Sequence, residues 1–280
     1  MKTPRRLGAH LSVAGGLVSA AQNMISMSGN CLQIFSGSPR SWTRKPLEQA
    51  KADAYKTFCK DHNFGPTFIH ALYLINLSGD RDDLIHHSID ALTYDLQYSS
   101  QIGASGVIVH LGSHLGKGFE AVFDVLVKRM REILDATPTN STLLIENSAG
   151  QKGKLCSDFA DIQRLYTALP TYVEKQRLAW CFDTCHGFAA GYDLAHIDQE
   201  MKKHDLLNSL KVIHLNDSRD PFNSGRDRHE NIGKGLIGEN GMKSVAQNPA
   251  FAHLPLILEV PGFDGNGPDA KNIEIVKNLI

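Results

Sequence analysis

The feature that most restricts this chain of 280 residues is a recurrence. Eight short apolar runs, at 7–12, 31–35, 67–70, 107–110, 143–146, 178–182, 212–214 and 256–259, can be picked out along it. Segments of about 25 to 45 residues with helix-like spacing separate them. Runs this short and this uniformly apolar read as strands covered on both faces, which belong to parallel sheets. Eight strand–helix units in succession predict an α/β fold closed into a (β/α)8 TIM barrel. The chain has no long linker, low-complexity tract or sequence repeat, so residues 1–280 are expected to form a single domain.

At least seven of the eight runs carry a titratable side chain at or near their carboxyl end: His10, His70, His110, Glu146, Asp183, His214 and Glu259. In a barrel those ends converge on one rim, where such folds place their chemistry. Any one of them alone reads as a hydrogen-bonded structural group, because buried polar groups are normally paired. Burying the whole set together is costly unless shared cations compensate, so a metal cluster is predicted.

The sixth run shows the pattern most plainly, with Leu178-Ala179-Trp180-Cys181-Phe182 leading directly into Asp183-Thr184-Cys185-His186. Positions three apart on a straight strand face opposite ways, so Asp183 and His186 can share a site only if the chain turns after Asp183. Gly187 is expected to supply that freedom. The alternative for Asp183 is a cap on the next helix.

Charge composition narrows the partners. The 29 Lys and Arg against 30 Asp and Glu leave a formal net of −1 and a pI of about 6.9, which does not advertise a polyanion-binding surface. A nucleic-acid partner would need a local basic patch or bound metal. The five cysteines, Cys31, Cys59, Cys156, Cys181 and Cys185, are odd in number and lack a disulfide-framework spacing. They predict a reducing, cytoplasmic setting, with Cys181 and Cys185 as buried packing residues. Arg5-Arg6 precedes a moderately apolar run that imitates an export signal, but His10, Ser12, Gly15 and Gly16 interrupt it, and no segment is apolar for long enough to span a bilayer. A monomer with no membrane partner is expected.

The candidate ligands are four carboxylates, Glu146, Asp183, Asp227 and Glu259, with His70, His110, His186, His214 and His229. Nitrogen and oxygen donors without a dedicated thiolate suit zinc, manganese or iron. Asp227 and His229 lie two apart, so in an extended segment they face the same way and could clasp one ion. The set exceeds what one tetrahedral ion takes, and a shared carboxylate would let two or three ions sit close together. Closely spaced cations suit phosphoryl chemistry, since they activate a water and neutralise charge on the attacking and leaving oxygens.

Several segments, spanning essentially the whole chain, resemble the endonuclease IV class of apurinic/apyrimidinic endonucleases. They are Gly8-Ala9-His10-Leu11-Ser12 with Ala14-Gly15-Gly16, His70 with Tyr73-Leu74-Ile75-Asn76-Leu77, and Ile145-Glu146-Asn147-Ser148-Ala149-Gly150-Gln151. Further along come Asp183-Thr184-Cys185-His186, Ala190-Gly191-Tyr192-Asp193, His214-Leu215-Asn216-Asp217, Asp227-Arg228-His229-Glu230-Asn231-Ile232-Gly233 and Leu256-Ile257-Leu258-Glu259. The resemblance implies three zinc ions: one held by His70, His110 and Glu146, a second by Glu146, Asp183, His214 and Glu259, and a third by His186, Asp227 and His229.

By the same resemblance the chain would cut the phosphodiester on the 5′ side of an abasic site in duplex DNA, leaving a 3′-hydroxyl, and would trim blocked 3′ ends. Glu146 and Glu259 are the positions it gives a catalytic part. Arg40, Tyr73 and Leu74 look similar to side chains that enter the duplex at the lesion, where a missing base makes extrusion cheap. Read without it, Arg40 is a solvated loop arginine and Tyr73-Leu74 an apolar cap. Three divalent ions would carry the chain from −1 to +5, with Lys117, Arg219, Arg226 and Arg228 as secondary candidates for phosphate contact.

Val260, Ala179 and Arg219 depart from the usual pattern of the class, and none is a proposed ligand. His10 and His114 are expected near the rim in a DNA-facing or a structural role, and the adjacent His86 and His87 on a polar helix face. The rival reading is a metal-dependent sugar isomerase or epimerase of the same barrel type, which needs only one or two ions. A non-catalytic lesion binder with structural zinc is the other, although structural sites are usually closed and rich in thiolate.

Overall fold

The computed structural model describes residues 5–280. Eight parallel strands close into a barrel, each followed by helical structure. The first half runs β1 (Leu7–His10), α1 (Leu17–Ser26), β2 (Cys31–Phe35), α2 (Gln49–Asp61), β3 (Thr67–His70), α3 (Asp82–Ile102), β4 (Gly106–Val109) and α4 (Phe119–Asp135). It continues through β5 (Leu143–Glu146), α5 (Phe159–Ala168), α6 (Pro170–Glu174), β6 (Leu178–Asp183), α7 (Thr184–Ala189), α8 (Ile197–Lys203) and β7 (Leu210–His214). A two-stranded ribbon of β8 (Asp217–Ser218) and β9 (His229–Glu230) then precedes α9 (Gly238–Ala246), the last barrel strand β10 (Leu256–Leu258) and α10 (Ala270–Leu279).

Around the barrel the order is β1, β10, β7, β6, β5, β4, β3, β2, with β2 hydrogen-bonded back to β1. All eight expected strands are present, and their ends move by a residue or two. His110 and Glu259 stand just beyond β4 and β10, while β7 starts earlier, at Leu210. The antiparallel ribbon is the element that apolar runs do not reveal, because neither of its strands is apolar.

Two cores result from the period-2 alternation of the strands. Outward residues pack against the helices in a large continuous cluster. Inward residues Cys31, Phe68, Ile108, Leu144, Ala179, Cys181, Val212 and Ile257 fill the barrel as a separate plug. Two residues further along, the same parity places Gln33, His70, His110, Glu146, Asp183, His214 and Glu259 on top of that plug, facing inward at the mouth. The expected role of Cys181 and Cys185 as packing residues holds, since both are buried and unpaired, and Cys31 and Cys156 are buried and unpaired as well. Among the described residues no helix is long and apolar enough to cross a membrane.

The turn after Asp183 has a different origin from the one expected. Gly187 lies within α7 and does not have a positive φ. The chain turns because Asp183 is extended and caps α7, its Oδ1 accepting from the His186 N–H at 2.9 Å. What Gly187 provides is space, since a Cβ there would stand 2.7 Å from Cζ of the buried Phe182 ring. Helix propensity favours Gly187→Ala by about 1 kcal/mol, but an overpacked core opposes it by about 1–3 kcal/mol. The ring is fully buried and has no room to give, so Gly187→Ala should lower the midpoint of chemical denaturation, and an unchanged or raised midpoint would show that Phe182 relaxes freely.

Candidate metal centre

Three groups of donors meet at the barrel mouth. They are His70, His110 and Glu146; then Glu146, Asp183, His214 and Glu259; then Asp183, His186 and His229, with the donor atoms of each group within 4.8 Å of one another. Glu146 and Asp183 each belong to two groups, so the three form one continuous chain of sites. Asp227 reaches the third group from the irregular stretch before β9, its Oδ1 lying 3.1 Å from His186 Nε2 and 3.5 Å from His229 Nε2. All nine expected residues therefore converge. The grouping differs in one respect from that implied by the resemblance, because Asp183 also approaches the third set, at 3.6 Å from His229 Nε2.

Hydrogen bonds on the far side of four of the five rings fix which imidazole nitrogen faces the centre, while Nδ1 of His110 is buried without a partner. Nδ1 of His70 donates to the Ala71 carbonyl at 2.8 Å, that of His186 to the Asn147 carbonyl at 3.0 Å, and that of His229 to the Glu259 carbonyl at 3.2 Å. A carbonyl only accepts, so the proton sits on Nδ1 and Nε2 turns its lone pair inward. His214 is reversed. The Gln33 amide donates to Glu259 Oε1 at 2.5 Å, which leaves its oxygen to accept from His214 Nε2 at 2.7 Å and directs His214 Nδ1 to the centre.

These inward lone pairs point at carboxylate oxygens. His70 Nε2 is 3.1 Å from Glu146 Oε2, and His214 Nδ1 is 3.0 Å from Glu146 Oε1 and 3.3 Å from Glu259 Oε2, while His110, whose tautomer no hydrogen bond fixes, brings Nε2 to 3.2 Å from Glu146 Oε2. A lone pair facing an anion at such distances is repulsive, so each contact needs a positive charge between the two, either a proton or a metal ion. Nε2 of His186 and of His229 are also buried without a hydrogen-bond partner. The donor set thus fits divalent cations: oxygens and oriented imidazole nitrogens, held by a surrounding shell of hydrogen bonds. No thiolate competes, as burial pushes the Cys181 and Cys185 thiols up to about 12. A cavity of about 520 Å³ opens from the donors, lined by His10, Tyr73, His110, Asp227 and Glu259 among others.

The family described as xylose isomerase-like TIM barrel matches residues 25–279. A probable endonuclease 4 of Halothermothrix orenii is 34% identical over 278 residues, covering 97% of this chain and 99% of its own length. This chain belongs to the endonuclease IV family of apurinic/apyrimidinic endonucleases. The crystal structure of endonuclease IV from Thermus thermophilus superposes with a TM-score of 0.84 at 32% identity, covering 99% of this chain and 98% of that one. A 3-keto-D-glucoside 4-epimerase from E. coli shares the fold alone, with a TM-score of 0.71 at 11% identity over 99% of each chain.

In this member of the endonuclease IV family the other expected residues sort by environment. Tyr73 and Leu74 stand at the mouth, 64% and 42% exposed, with the Tyr73 ring edge-on to Phe35 at 5.4 Å. Arg40 is exposed in the loop after β2. Lys117 pairs with Asp80, and Arg219 and Arg226 lie 3.6 and 3.7 Å from Asp220, so these three are surface ion pairs. His114 accepts from the Gly118 N–H at 3.0 Å and is a loop-forming residue. His10 lines the cavity and meets the Gln33 amide at 2.8 Å. His86 and His87 face solvent as expected, and the His87 ring also stacks on Trp42 with ring centroids 5.4 Å apart.

Three polar residues that sequence reasoning passed over hold the centre in place. Gln33 links His10, His214 and Glu259. Asn147 exchanges two hydrogen bonds with the Asp183 backbone, and Asn216 donates to Asp183 Oδ2 at 2.6 Å. The signal for Gln33 was available: it is a fully buried amide within an apolar strand, on the inward parity.

Charge coupling at the mouth sets a pH dependence. Burial opposes the charged forms of His70, His186 and His214, yet the adjoining carboxylates outweigh it and raise all three above the usual 6.5. His110, where burial dominates, falls to about 4. Glu146 and Glu259 are held well below 4.5 against burial, chiefly by the nearby histidines. A raised histidine contributes stability below 6.5 that is lost as pH rises through its folded-state value, and a depressed carboxylate contributes stability above 4.5 that is lost on acidification. Protein stripped with chelator is therefore expected to lose thermal stability as pH rises above 6.5, whereas cation-loaded protein should lose it as pH falls and protons displace the metal. Parallel melting curves across pH with and without chelator would test this, and coincident profiles would contradict a cation-binding mouth.

Proposed function

We propose that this chain hydrolyses the phosphodiester 5′ to abasic sites in duplex DNA, leaving a 3′-hydroxyl, and trims blocked 3′ ends, using three zinc ions. The observation that carries the reading is the chain of three overlapping donor groups at the mouth, linked through Glu146 and Asp183. His70, His110 and Glu146 would hold one ion, Glu146, Asp183, His214 and Glu259 the second, and His186, Asp227 and His229 the third, with Asp183 Oδ2 near enough to His229 to assist. When bound, the ions supply Lewis-acid activation of water and of the scissile phosphate together with neutralisation of charge on its oxygens.

The chain's own residues orient and recognise. Gln33 fixes the angle of Glu259 through Oε1, and the Glu259 N–H donates to Asn216 at 2.8 Å, so this carboxylate enters the site in one orientation. Exposed Tyr73 and Leu74 offer an apolar wedge beside the cavity, suited to the space a lost base leaves in the stack. Arg40 adds a cation on the same side. The sugar isomerase alternative accounts for one or two ions but gives no work to the third group or to this exposed wedge.

Elemental analysis of purified protein should return about three zinc per chain, and chelation should abolish incision of an abasic duplex. Glu146→Gln and Glu259→Gln are each expected to reduce kcat by about 100-fold or more while DNA affinity stays within about threefold, because each weakens the cation cage. Comparable losses in rate and affinity, read from single-turnover cleavage beside gel retardation, would count against their placement. Tyr73→Ala is expected to weaken binding of abasic duplex by about 1–3 kcal/mol. Its zinc content should be unchanged, and loss of zinc in that variant would contradict a rim position.

A further inference from the structure

Between Phe35 and Gln49 the chain forms neither helix nor strand, and Arg40 lies within this segment. Such a loop would be expected to wander. It is instead fastened at five points to one face of α3. Trp42 stacks on His87, the Tyr94 hydroxyl donates to the Lys45 carbonyl, and Gln101 donates to the Leu47 carbonyl at 3.1 Å. The remaining two points meet at Asp95. Its carboxylate, 1% exposed, accepts from the Ser36 hydroxyl at 2.5 Å and lies 3.7 Å from Arg44 Nε. Positions 87, 94, 95 and 101 fall within one helical stripe, since steps of seven, eight and fourteen residues return to the same side.

The same helix also indexes the second rim loop. The Asn76 N–H, just past Tyr73 and Leu74, donates to Ser88 Oγ of α3 at 3.1 Å. An ion pair buried on a barrel helix is a poor device for stability alone, because desolvation offsets the attraction. Burial pushes the Asp95 carboxyl up to about 6, against the pull of Ser36 and Arg44. Ser36 and Arg44 flank Arg40 symmetrically, four residues to either side, and Arg44 further clamps the loop by donating to the Ser41 carbonyl at 3.1 Å.

We propose that Asp95, Ser36 and Arg44 form a buried strap whose work is to hold Arg40 in the attitude in which it engages the DNA lesion. They are positioning residues, none of them among the proposed metal ligands, and the proposal rests on the abasic-site reading above. The strap converts an irregular loop into a preorganised recognition element, so the ordering entropy is lost at folding instead of at DNA binding.

The test uses Asp95→Ala and the near-isosteric Asp95→Asn, which keeps the acceptor for Ser36 but removes the charge facing Arg44. The chain has two tryptophans, Trp42 in the loop and the fully buried Trp180, so acrylamide quenching reports the loop without any substrate. Quenching is expected to increase in both variants, more in Asp95→Ala. With abasic duplex, KM should rise about 10-fold with kcat within about twofold and zinc content unchanged. Arg40→Ala, costly in the wild-type background, should cost little more once Asp95→Ala is present, because both substitutions remove the same oriented contact.

Additive effects of Arg40→Ala and Asp95→Ala, or an unchanged Trp42 signal in both variants, would overturn the strap. Wild-type protein that leaves abasic duplex uncut would overturn the proposed function instead, and the quenching result would then decide the strap by itself.

Discussion

The centre depends on hydrogen bonds that face away from it. Behind His70, His186 and His229 stand backbone carbonyls, and behind His214 stands the oxygen of Gln33. Each takes the one proton a neutral imidazole carries and leaves the opposite nitrogen as a lone pair aimed at shared carboxylates. Without that arrangement the rings could turn over and satisfy the carboxylates themselves, and the mouth would be an ordinary buried salt-bridge network. With it, four imidazoles demand positive charge at defined points. The selectivity of the site is therefore written one shell out from the donors, in carbonyls and amides.

The barrel supplies those positions through strand parity. Inward residues lower down fill the cylinder with a dry plug, and the next inward residue on each strand becomes a donor or its support. Stability and chemistry occupy successive layers of the same strands, so neither has to be compromised for the other. Asp183 serves both layers: it caps α7 with one oxygen, and its other oxygen stands among the candidate donors at the mouth, so the cap read from the sequence leaves it free for a ligand role.

Much of this was legible in the sequence. Apolar runs at regular intervals marked all eight barrel strands, and their titratable endings marked the mouth, because a short buried strand leaves few places for a charged residue to stand. The ribbon of β8 and β9 was not legible, since two-residue strands carry no periodic signal. Gly187 misleads because a glycine near a turn suggests backbone freedom, whereas the close approach of Phe182 is a tertiary fact. Gln33, Asn147 and Asn216 escape notice since neutral amides do not announce chemistry. The solvent-facing placement of His87 was legible, but its stacking on Trp42 was not, as that contact joins segments far apart in sequence.

Donors are dealt out around most of the cylinder. His70, His110, Glu146, Asp183, His214 and Glu259 come from six neighbouring staves, β3 through β7 and β10. The two staves without a donor, β1 and β2, are tied in by His10 and Gln33, both of which reach Glu259. The mouth is thus a hoop with no gap, and its seam between first and last strands is closed by an amide and an imidazole. No single stave can spring loose while the hoop is tight, so whatever fills the centre should lock the whole cask against partial opening.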